Sequence, residues 1–597
     1  MSDRALLAVR SLTVAYDGRR VVDDVSFDLA PRRCLGVVGE SGAGKTQIFM
    51  ALMGLLPSRA RVTGDARLED VALLSAAGAN VRGRSVAMIF QDPMTSLTPH
   101  LRVGDQIAEP LVAHRGLSWR DARVRAAQLL DQVRMSDVSR RLRQYPHELS
   151  GGMRQRAMIA MALACDPKLL IADEPTTALD VSVQAQLLKL LRDLIQERGM
   201  VLALVTHDMG VIAALADDVL VMRDGKVLEH AAVQRILSAP EHEYTRGLLA
   251  ATPRLETAGP APQESPHAQS ALPLSARHLS VRHRLRGGGW RAPRMLTAVD
   301  DVSIEVGSGE AVGIVGESGC GKSTLARALL KLGPASQGEI VWLGRAVQDL
   351  EGSELRRLRD AVQVVFQDPF ASLDPRMRIA EIVAEPLRAL RPGLDAAARN
   401  ERVARMLSSV GLGPEYARRR GRELSGGQCQ RVAIARAMIL EPKLLVCDEA
   451  VSALDVSIQA QILDLVETLK REHGTSIVFV SHNLAVVRRL CERVLVMYLG
   501  RIVEAGPTGA VFEAPRHPYT RMLLAAVPLL DPLRERRRLD ALDVRGETPS
   551  AVERPSGCQF RNRCPAALPP CAVSSPGTEE AGNSHQVACL RWRELTN

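Results

Sequence analysis

The sequence Gly39-Glu40-Ser41-Gly42-Ala43-Gly44-Lys45-Thr46 decides the fold of this chain. An apolar run at 34–38 precedes it and predicts a buried strand, and a helix-permissive stretch at 47–56 follows it. A glycine-rich turn between a strand and a helix is the context of a phosphate-binding P-loop. Glycines let backbone N–H groups surround phosphate oxygens, and the helix N-terminus adds partial positive charge. We predict that Lys45 reaches the β- and γ-phosphates of ATP and that the Thr46 hydroxyl binds Mg²⁺.

The same motif recurs as Gly316-Glu317-Ser318-Gly319-Cys320-Gly321-Lys322-Ser323, after an apolar run at 311–315. The chain is therefore a tandem repeat, and Lys322 and Ser323 repeat the predicted roles of Lys45 and Thr46. A chain of 597 residues is also too long for a single hydrophobic core. We predict an α/β protein with two tandem P-loop nucleotide-binding domains, each carrying a helical subdomain.

The composition predicts how the chain divides. We expect a first nucleotide-binding domain at 1–252, a linker at 253–275, a second domain at 276–530 and a small cysteine-rich C-terminal extension at 531–597. The linker prediction rests on a stretch rich in Pro, Ala, Ser and Gln. The second repeat also has a glycine-rich insertion at 286–290 that the first repeat lacks.

An acidic pair ends a buried strand in each repeat. Asp173 and Asp448 come at the strand ends, where a carboxylate can hold Mg²⁺ through water. The next residues, Glu174 and Glu449, are predicted to polarise the water that attacks the γ-phosphate.

A histidine and a glutamine accompany each acidic pair. His207 and His482 end a neighbouring strand, and Gln91 and Gln367 follow another apolar strand. A lone histidine of this kind is more often structural. Because both repeats place it at the same point, we predict contact with the γ-phosphate, and we predict that the glutamines sense Mg²⁺ or water.

A second glycine motif opens a helix in each repeat. It reads Ser150-Gly151-Gly152 in the first and Ser425-Gly426-Gly427 in the second, 275 residues later. A Ser-Gly-Gly turn at a helix N-terminus is another anion site. One nucleotide does not need two such sites from one domain. We therefore expect each Ser-Gly-Gly to close over the ATP held by the other domain's P-loop.

With this ordered set of motifs, the chain resembles the ATP-binding cassette (ABC) family over nearly all of both halves. The resemblance implies that residues 177–180 and 452–455 are D-loops linking the two sites and that Tyr16 stacks on adenine. His283 stands at the counterpart of Tyr16, which departs from the family pattern. Ala450 and Cys429 are further departures, and neither removes a catalytic group. The family's mechanism implies that ATP binding closes the halves and that hydrolysis reopens them.

Narrower stretches resemble the ATPases of dipeptide/oligopeptide importers. They are 90–97 and 366–373 after the glutamine strands, and 242–246 and 517–521 near the domain ends. The resemblance implies an energy-coupling subunit in which two ATPase subunits are fused. Its implied partners are two transmembrane permeases and, through them, an extracytoplasmic substrate-binding protein. The alternative is a soluble tandem ABC ATPase acting on ribosomes or DNA, which the Pro/Ala-rich linker and the lack of long heptads disfavour.

Composition sets the expected location. No run of eighteen apolar residues and no signal-peptide pattern is present in the sequence. We expect an intracellular protein, peripheral at the cytoplasmic face of the inner membrane. The net charge of +9 comes from dispersed basic residues, so no nucleic-acid partner is expected.

Four of the ten cysteines cluster near the C-terminus: Cys558, Cys564, Cys571 and Cys589. Four thiolates can hold a [4Fe–4S] cluster or Zn²⁺, and unliganded thiols are a third alternative. The lack of Cys-x2-Cys argues against a ribbon-type zinc site. The surrounding sequence resembles the extension of peptide-importer ATPases, which can hold a [4Fe–4S] cluster. His585 is the spare ligand candidate if the metal is zinc.

Overall fold

The computed structural model describes residues 5–177, 179–256, 272–285, 294–333, 335–452, 454–543, 546, 549, 551–552 and 554–596, with the backbone alone at 93, 94, 285, 294 and 596. Most of the predicted linker, the insertion at 286–290 and the D-loop alanines Ala178 and Ala453 lie outside the described residues.

The first half contains two sheets. An antiparallel sheet has the order β2-β1-β4-β5, and the main sheet has the order β10-β9-β3-β8-β7-β6. All neighbours in the main sheet are parallel except β10 and β9. The strands are β1 (Leu7–Tyr16), β2 (Arg19–Leu29), β3 (Cys34–Val38), β4 (Ala60–Leu68), β5 (Val71–Ala72), β6 (Val86–Ile89), β7 (Leu169–Asp173), β8 (Val201–Val205), β9 (Asp218–Arg223) and β10 (Lys226–Ala232).

The helices of the first half pack on this main sheet, and those between β6 and β7 form the helical subdomain. They are α1 (Lys45–Leu52), α2 (Pro93–Ser96), α3 (Val103–Arg115), α4 (Trp119–Gln132), α5 (Val138–Arg141), α6 (Gly151–Ala162), α7 (Val181–Arg198), α8 (Met209–Leu215), α9 (Val233–Ser238) and α10 (Glu243–Ala251).

The second half repeats this order, with an added helix at Gly352–Arg359 and a 3-10 turn at Pro414–Arg418 in place of α5. Its strands are β11 (Leu274–Leu285), β12 (Arg294–Val306), β13 (Ala311–Val315), β14 (Gln337–Trp342), β15 (Arg345–Ala346), β16 (Val362–Val365), β17 (Leu444–Asp448), β18 (Ser476–Val480), β19 (Arg493–Tyr498) and β20 (Arg501–Pro507). Its helices are α11 (Lys322–Leu329), α12 (Gly352–Arg359), α13 (Pro369–Ser372), α14 (Ile379–Leu390), α15 (Ala396–Ser409), α16 (Gly426–Met438), α17 (Val456–His473), α18 (Leu484–Leu490), α19 (Thr508–Glu513) and α20 (Pro518–Ala526).

The main-sheet strands are apolar because both faces of the sheet are covered. Along β7, Leu169 and Ile171 pack towards α1 and the antiparallel sheet, whereas Leu170 and Ala172 pack towards α6 and α7. This alternation fills two cores per half and fixes the carboxyl ends of the strands at one edge. The prediction of tandem parallel α/β cores is confirmed.

The C-terminal extension does not form a separate lobe. It contains α21 (Pro532–Ala541), α22 (Pro570–Val573), β21 (Glu579–Glu580) and β22 (Gln586–Val587). β22 pairs with β20, so the main sheet of the second half has eight strands in the order β16-β17-β18-β13-β19-β20-β22-β21. Helix α21 instead crosses to the first half and buries Leu539 in its core beside α8. Within the described part of the chain, no helix is long and apolar enough to span a membrane.

Candidate functional site

The first P-loop joins β3 to α1 and has a shape that requires glycine. Gly39 has φ +155°, and a Cβ there would lie 2.2 Å from the Met222 carbonyl oxygen. Gly44 has φ +91°, and a Cβ there would lie 2.3 Å from the Val21 carbonyl oxygen. The backbone can therefore curl around a phosphate only with glycine at these positions.

Two polar side chains, Lys45 and Thr46, end this loop. Lys45 is buried, and its Nζ donates to the carbonyl oxygens of Gly39 (2.7 Å) and Glu40 (2.9 Å). Burial lowers the pKa of Lys45, and nearby carboxylates, Glu174 first, oppose that shift. The Thr46 hydroxyl donates to Asp173 Oδ1 at 3.0 Å.

Thr46 and Asp173 form a pair of hard oxygen ligands. Burial raises the pKa of Asp173 to about 6, against the hydrogen bond from Thr46. A divalent cation would compensate this buried carboxylate, and hydroxyl and carboxylate oxygens suit Mg²⁺. The residues present therefore fit the predicted metal.

Glu174 follows β7 with φ +47°, a region that non-glycine residues seldom occupy. Its carboxylate accepts from Gln91 Nε2 (2.9 Å) and the Thr177 hydroxyl (2.9 Å), and it lies 3.1 Å from His207 Nδ1. Burial alone would raise the pKa of Glu174, but the contacts with His207, Thr177 and Lys45 hold it below its usual value. Burial of the ring lowers the pKa of His207, but the hydrogen bond and charge of the Glu174 carboxylate outweigh burial and raise it.

The second half builds the same arrangement. Lys322 Nζ donates to the carbonyl oxygens of Gly316 (2.8 Å) and Glu317 (3.1 Å), and the Ser323 hydroxyl donates to Asp448 (2.9 Å). Gln367 Nε2 donates to Glu449 at 2.8 Å. His482 Nδ1 lies 3.6 Å from Glu449, farther than the corresponding distance in the first half. Burial raises the pKa of Asp448 in the same way as that of Asp173.

The two halves meet through reciprocal contacts at the P-loops. Asp180 accepts from the Ser318 backbone N–H (2.5 Å) and hydroxyl (2.8 Å). Asp455 accepts from the Ser41 backbone N–H at 3.1 Å. Each predicted D-loop aspartate is thus bonded to the P-loop of the opposite half.

The first Ser-Gly-Gly motif faces the second P-loop. Ser150, Gly151 and Gly152 line one cavity together with Ser318 and Gly319 of the other half. Ser150 caps α6 by accepting from the Met153 N–H at 3.3 Å.

The second motif has the same local geometry. Ser425 caps α16 by accepting from the Gln428 N–H at 3.4 Å. Gly426 lies beside Phe370 and Leu454, and a Cβ at Gly427 would lie 2.5 Å from Ile458 Cγ2. Glycine there allows α16 and α17 to approach closely.

The predicted adenine positions differ between the halves. The Tyr16 hydroxyl donates to Gln47 Oε1 at 2.6 Å, and the Arg59 guanidinium lies 5.8 Å from the ring centre. His283 lies opposite Leu296 on β12 and lines a cavity with Lys322, Ser323, Gln367 and Glu449. The structure therefore brings His283 to the second site, as its spacing in the repeat predicts.

The four C-terminal cysteines converge without forming a metal site. Cys558, Cys564, Cys571 and Cys589 line one small cavity, and burial raises the pKa of Cys558 to about 11. Among the described residues, no group of three or more His, Cys, Asp or Glu side chains is arranged to hold a metal ion. His585, the spare ligand candidate, has its Nε2 2.8 Å from Glu504 with both side chains buried.

Sequence reasoning missed several residues that hold the P-loops. The Tyr244 hydroxyl accepts from the Glu40 N–H (3.1 Å), and the Tyr519 hydroxyl accepts from the Glu317 N–H (2.9 Å). The repeated Tyr-Thr-Arg at 244–246 and 519–521 was the available signal. Arg563 of the extension, which pairs with Glu317, has no counterpart in the first repeat and so left no such signal.

Comparisons with known proteins agree with this architecture. Residues 22–177 and 299–452 match the family described as "ABC transporter", and residues 228–273 and 503–571 match "Oligopeptide/dipeptide transporter, C-terminal region". The chain belongs to the ABC transporter family. It is an ATP-binding subunit of the peptide-importer type, an ATPase coupled to transport, with two cassettes fused in one chain.

Curated relatives align with most of this chain. The glutathione import ATP-binding proteins GsiA of Shigella boydii serotype 4 (strain Sb227) and Escherichia coli (strain K12) are each 47% identical over 592 residues, covering 92% of this chain and 94% of theirs. A solved ATP-binding cassette, a dimer bound to ADP and phosphate, aligns with 39% of this chain and 98% of its own at 29% identity and a TM-score of 0.36.

Proposed function

We propose that this ABC ATPase hydrolyses ATP at two composite sites, each formed by the P-loop of one half and the Ser-Gly-Gly motif of the other. The observation that carries the proposal is the reciprocal bonding of Asp180 to Ser318 and of Asp455 to Ser41. These bonds place each half against the phosphate-binding loop of its sibling, so a bound γ-phosphate would be contacted from both sides. Loss of that phosphate would weaken the same interface.

In each site, the chain's own residues supply distinct parts of the reaction. Lys45 and Lys322 bind the phosphates, and the glycine-rich loops donate backbone N–H groups. Glu174 and Glu449 accept a proton from the attacking water, and His207 and His482 orient those carboxylates. Thr46 with Asp173, Ser323 with Asp448, and Gln91 and Gln367 would hold Mg²⁺, which neutralises developing phosphate charge when bound.

The solute class comes from the relatives. We propose that the chain powers uptake of glutathione or a similar short peptide, because the GsiA relatives are named for glutathione import and the C-terminal region matches peptide transporters. Its proposed partners are two permeases at the cytoplasmic face of the inner membrane and an extracytoplasmic binding protein.

Import is the test of this function. A strain lacking the chain should lose uptake of labelled glutathione, and the wild-type chain should restore it. A Glu174→Gln, Glu449→Gln double variant should not restore uptake although it still co-purifies with the permeases. Restored uptake by that variant, or a wild-type chain that never associates with a permease, would refute the proposal.

We also propose that Cys558, Cys564, Cys571 and Cys589 hold a [4Fe–4S] cluster. Their convergence on one cavity supports this. Among the described residues no ready-made ligand group is present, so binding would require the four thiols to rearrange. Iron and labile sulfide on anaerobically prepared protein, lost in Cys558→Ser, would support the cluster, and stoichiometric zinc without iron would reject it.

A further inference from the structure

We propose that the C-terminal extension forms part of the second ATP site only, and that Arg563 is a positioning residue for its P-loop. The two ATP sites then differ in structure, because the extension contacts only the second. This inference rests on the proposed function of both sites and adds a structural element that the first site does not have.

The central contact is a buried ion pair between the extension and the P-loop. Arg563 Nη1 lies 2.5 Å from Glu317 Oε2, and Nη2 lies 2.8 Å from Oε1. Arg563 is 4% exposed and Glu317 is 1% exposed, so water screens this bidentate pair little. A planar fork of this kind fixes the carboxylate in orientation as well as in position.

Glu317 connects three parts of the molecule through this carboxylate and its backbone. Its carbonyl oxygen accepts from Lys322 Nζ, and its N–H donates to the Tyr519 hydroxyl. The Ser182 hydroxyl of the first half also bonds to Oε1. Arg563 therefore acts on the residue that links the P-loop lysine to the opposite half.

The first site has the same contacts except for the arginine. Glu40 accepts from the Ser457 hydroxyl of the other half at 2.6 Å, and its N–H donates to the Tyr244 hydroxyl. In the described part of the chain, no arginine pairs with Glu40. The difference lies in the extension, which follows only the second repeat.

Two more parts of the extension reach the second site. Gly546 and Arg563 line the cavity between the first Ser-Gly-Gly motif and the second P-loop. Ala551 lines the cavity that holds His283 and Lys322. Arg554 anchors this segment, since it donates to Asp300 Oδ2 at 2.9 Å and to the Thr297 carbonyl oxygen.

Ala551 lies beside His283, the residue that replaces the aromatic side chain expected to stack on adenine. The first half has Tyr16 with Arg59 at its predicted adenine position, whereas the second half has His283 with the extension beside it. The extension thus replaces part of the wall of the nucleotide pocket and holds its phosphate loop.

Removing Arg563 should weaken ATP binding at one site. The Arg563→Ala variant removes the guanidinium from the buried Glu317 carboxylate, and a buried carboxylate that loses a positive charge moves towards water or takes up a proton. Either response displaces the loop that positions Lys322. We expect the ATP concentration for half-saturation of the second site to rise about tenfold and that of the first site to change less than about twofold.

A site-resolved labelling experiment tests this in the full chain. A protease site is inserted within 257–271, the protein is photolabelled over a range of 8-azido-ATP concentrations, and cleavage then separates the two halves for counting. Arg561→Ala is the matched control, because Arg561 donates to the Ala572 carbonyl oxygen inside the extension at 2.8 Å. Arg563→Lys should be intermediate, because an ammonium keeps the charge and loses the fork.

The outcomes separate this inference from the proposed function. If excess ATP does not displace the label from either half of the wild-type protein, the proposal that the chain has two ATP sites is refuted. The inference alone would be overturned if excess ATP displaces the label from both halves but Arg563→Ala leaves the labelling unchanged or weakens it equally on both. It would also be overturned if Arg563→Ala weakens labelling no more than Arg561→Ala does. Selective loss of labelling on the second half, with partial recovery when Glu317→Gln removes the negative charge, would establish it.

Discussion

At the residue scale, the two glutamates after β7 and β17 should control turnover without controlling binding. Glu174→Gln keeps a side chain that can accept the hydrogen bonds from Gln91 and Thr177, yet it removes the negative charge that takes a proton from water. We expect kcat to fall about 10²- to 10³-fold, with ATP affinity retained. Steady-state hydrolysis and equilibrium ATP binding measure the two effects.

The control is Glu69→Gln, which removes a carboxylate from an exposed ion pair with Lys168. That variant should hydrolyse ATP at the wild-type rate. Normal turnover by Glu174→Gln would show that Glu174 is not the base.

His517 should make the stability of the second half pH-dependent. Burial lowers its pKa from 6.5 to about 4, against the charge of Glu504. The folded ring therefore stays neutral between these values while the unfolded ring takes up a proton, so stability is full above pH 6.5 and falls as the pH drops towards 4. From pH 7.5 to 5, the loss from this group is about 2 kcal/mol.

His517→Asn should remove most of that loss, because asparagine can keep the cap on the Tyr519 N–H without titrating. Urea unfolding of wild type and variant at the two pH values measures the difference. His242→Asn, the same substitution at the equivalent cap in the first half, is the control. Equal pH dependence of wild type and His517→Asn would contradict the prediction.

The residues that sequence could identify are those with a local signal in both repeats. Lys45 opens a helix after a glycine-rich turn, and Asp173 and Glu174 stand at the end of a buried strand, so short-range pattern places them and their counterparts. Arg563 carries no such pattern, because its partner Glu317 lies 246 residues away and the contact exists only after the extension has folded back. The roles of the identified residues and the domain boundaries at 252, 275 and 530 stay predictions.

At the element scale, the two Ser-Gly-Gly helices differ in their caps. Gln428 completes a capping box on α16, since its side chain accepts from the Ser425 N–H at 3.0 Å. The corresponding residue on α6 is Met153, whose side chain cannot return that hydrogen bond. Met153→Gln should stabilise the first helical subdomain by about 0.5–1 kcal/mol. Hydrogen exchange of the first turn of α6 measures this.

The reverse variant, Gln428→Met, is the matched partner and should increase exchange in the first turn of α16 by a similar free energy. Unchanged exchange in both variants would show that the box contributes nothing to either helix.

The C-terminal extension contains two strands that the sequence could not predict. β21 and β22 have two residues each, which is too short for any periodicity to register. β22 forms because the edge of β20 offers unpaired backbone groups at Glu504 and Ala505. Such a strand forms because a neighbouring strand has a free edge, so its own sequence contains no pattern that predicts it.

At the scale of the whole molecule, helix α21 connects the two halves through contacts outside the P-loops. Leu539 is fully buried in the core of the first half, and Arg536 donates to the Ala216 carbonyl oxygen (2.8 Å) and to Asp217 (3.1 Å). The second half therefore reaches across the interface, and Leu255, at the start of the predicted linker, packs against the core of the second half. We expect the halves to stay associated after the linker is cut.

Leu539→Ala should weaken this association. Truncating a buried leucine costs about 2–5 kcal/mol, which corresponds to at least a tenfold weaker complex of the cut halves. The measurement is size-exclusion chromatography of protein cleaved at a protease site within 257–271, without nucleotide and over a range of concentrations. Leu533→Ala is the control, because Leu533 lies on the same helix with 59% of its surface exposed. If the cut halves of Leu539→Ala and Leu533→Ala separate at the same concentration as wild type, α21 does not hold the halves together, and the other contacts between the halves maintain the interface.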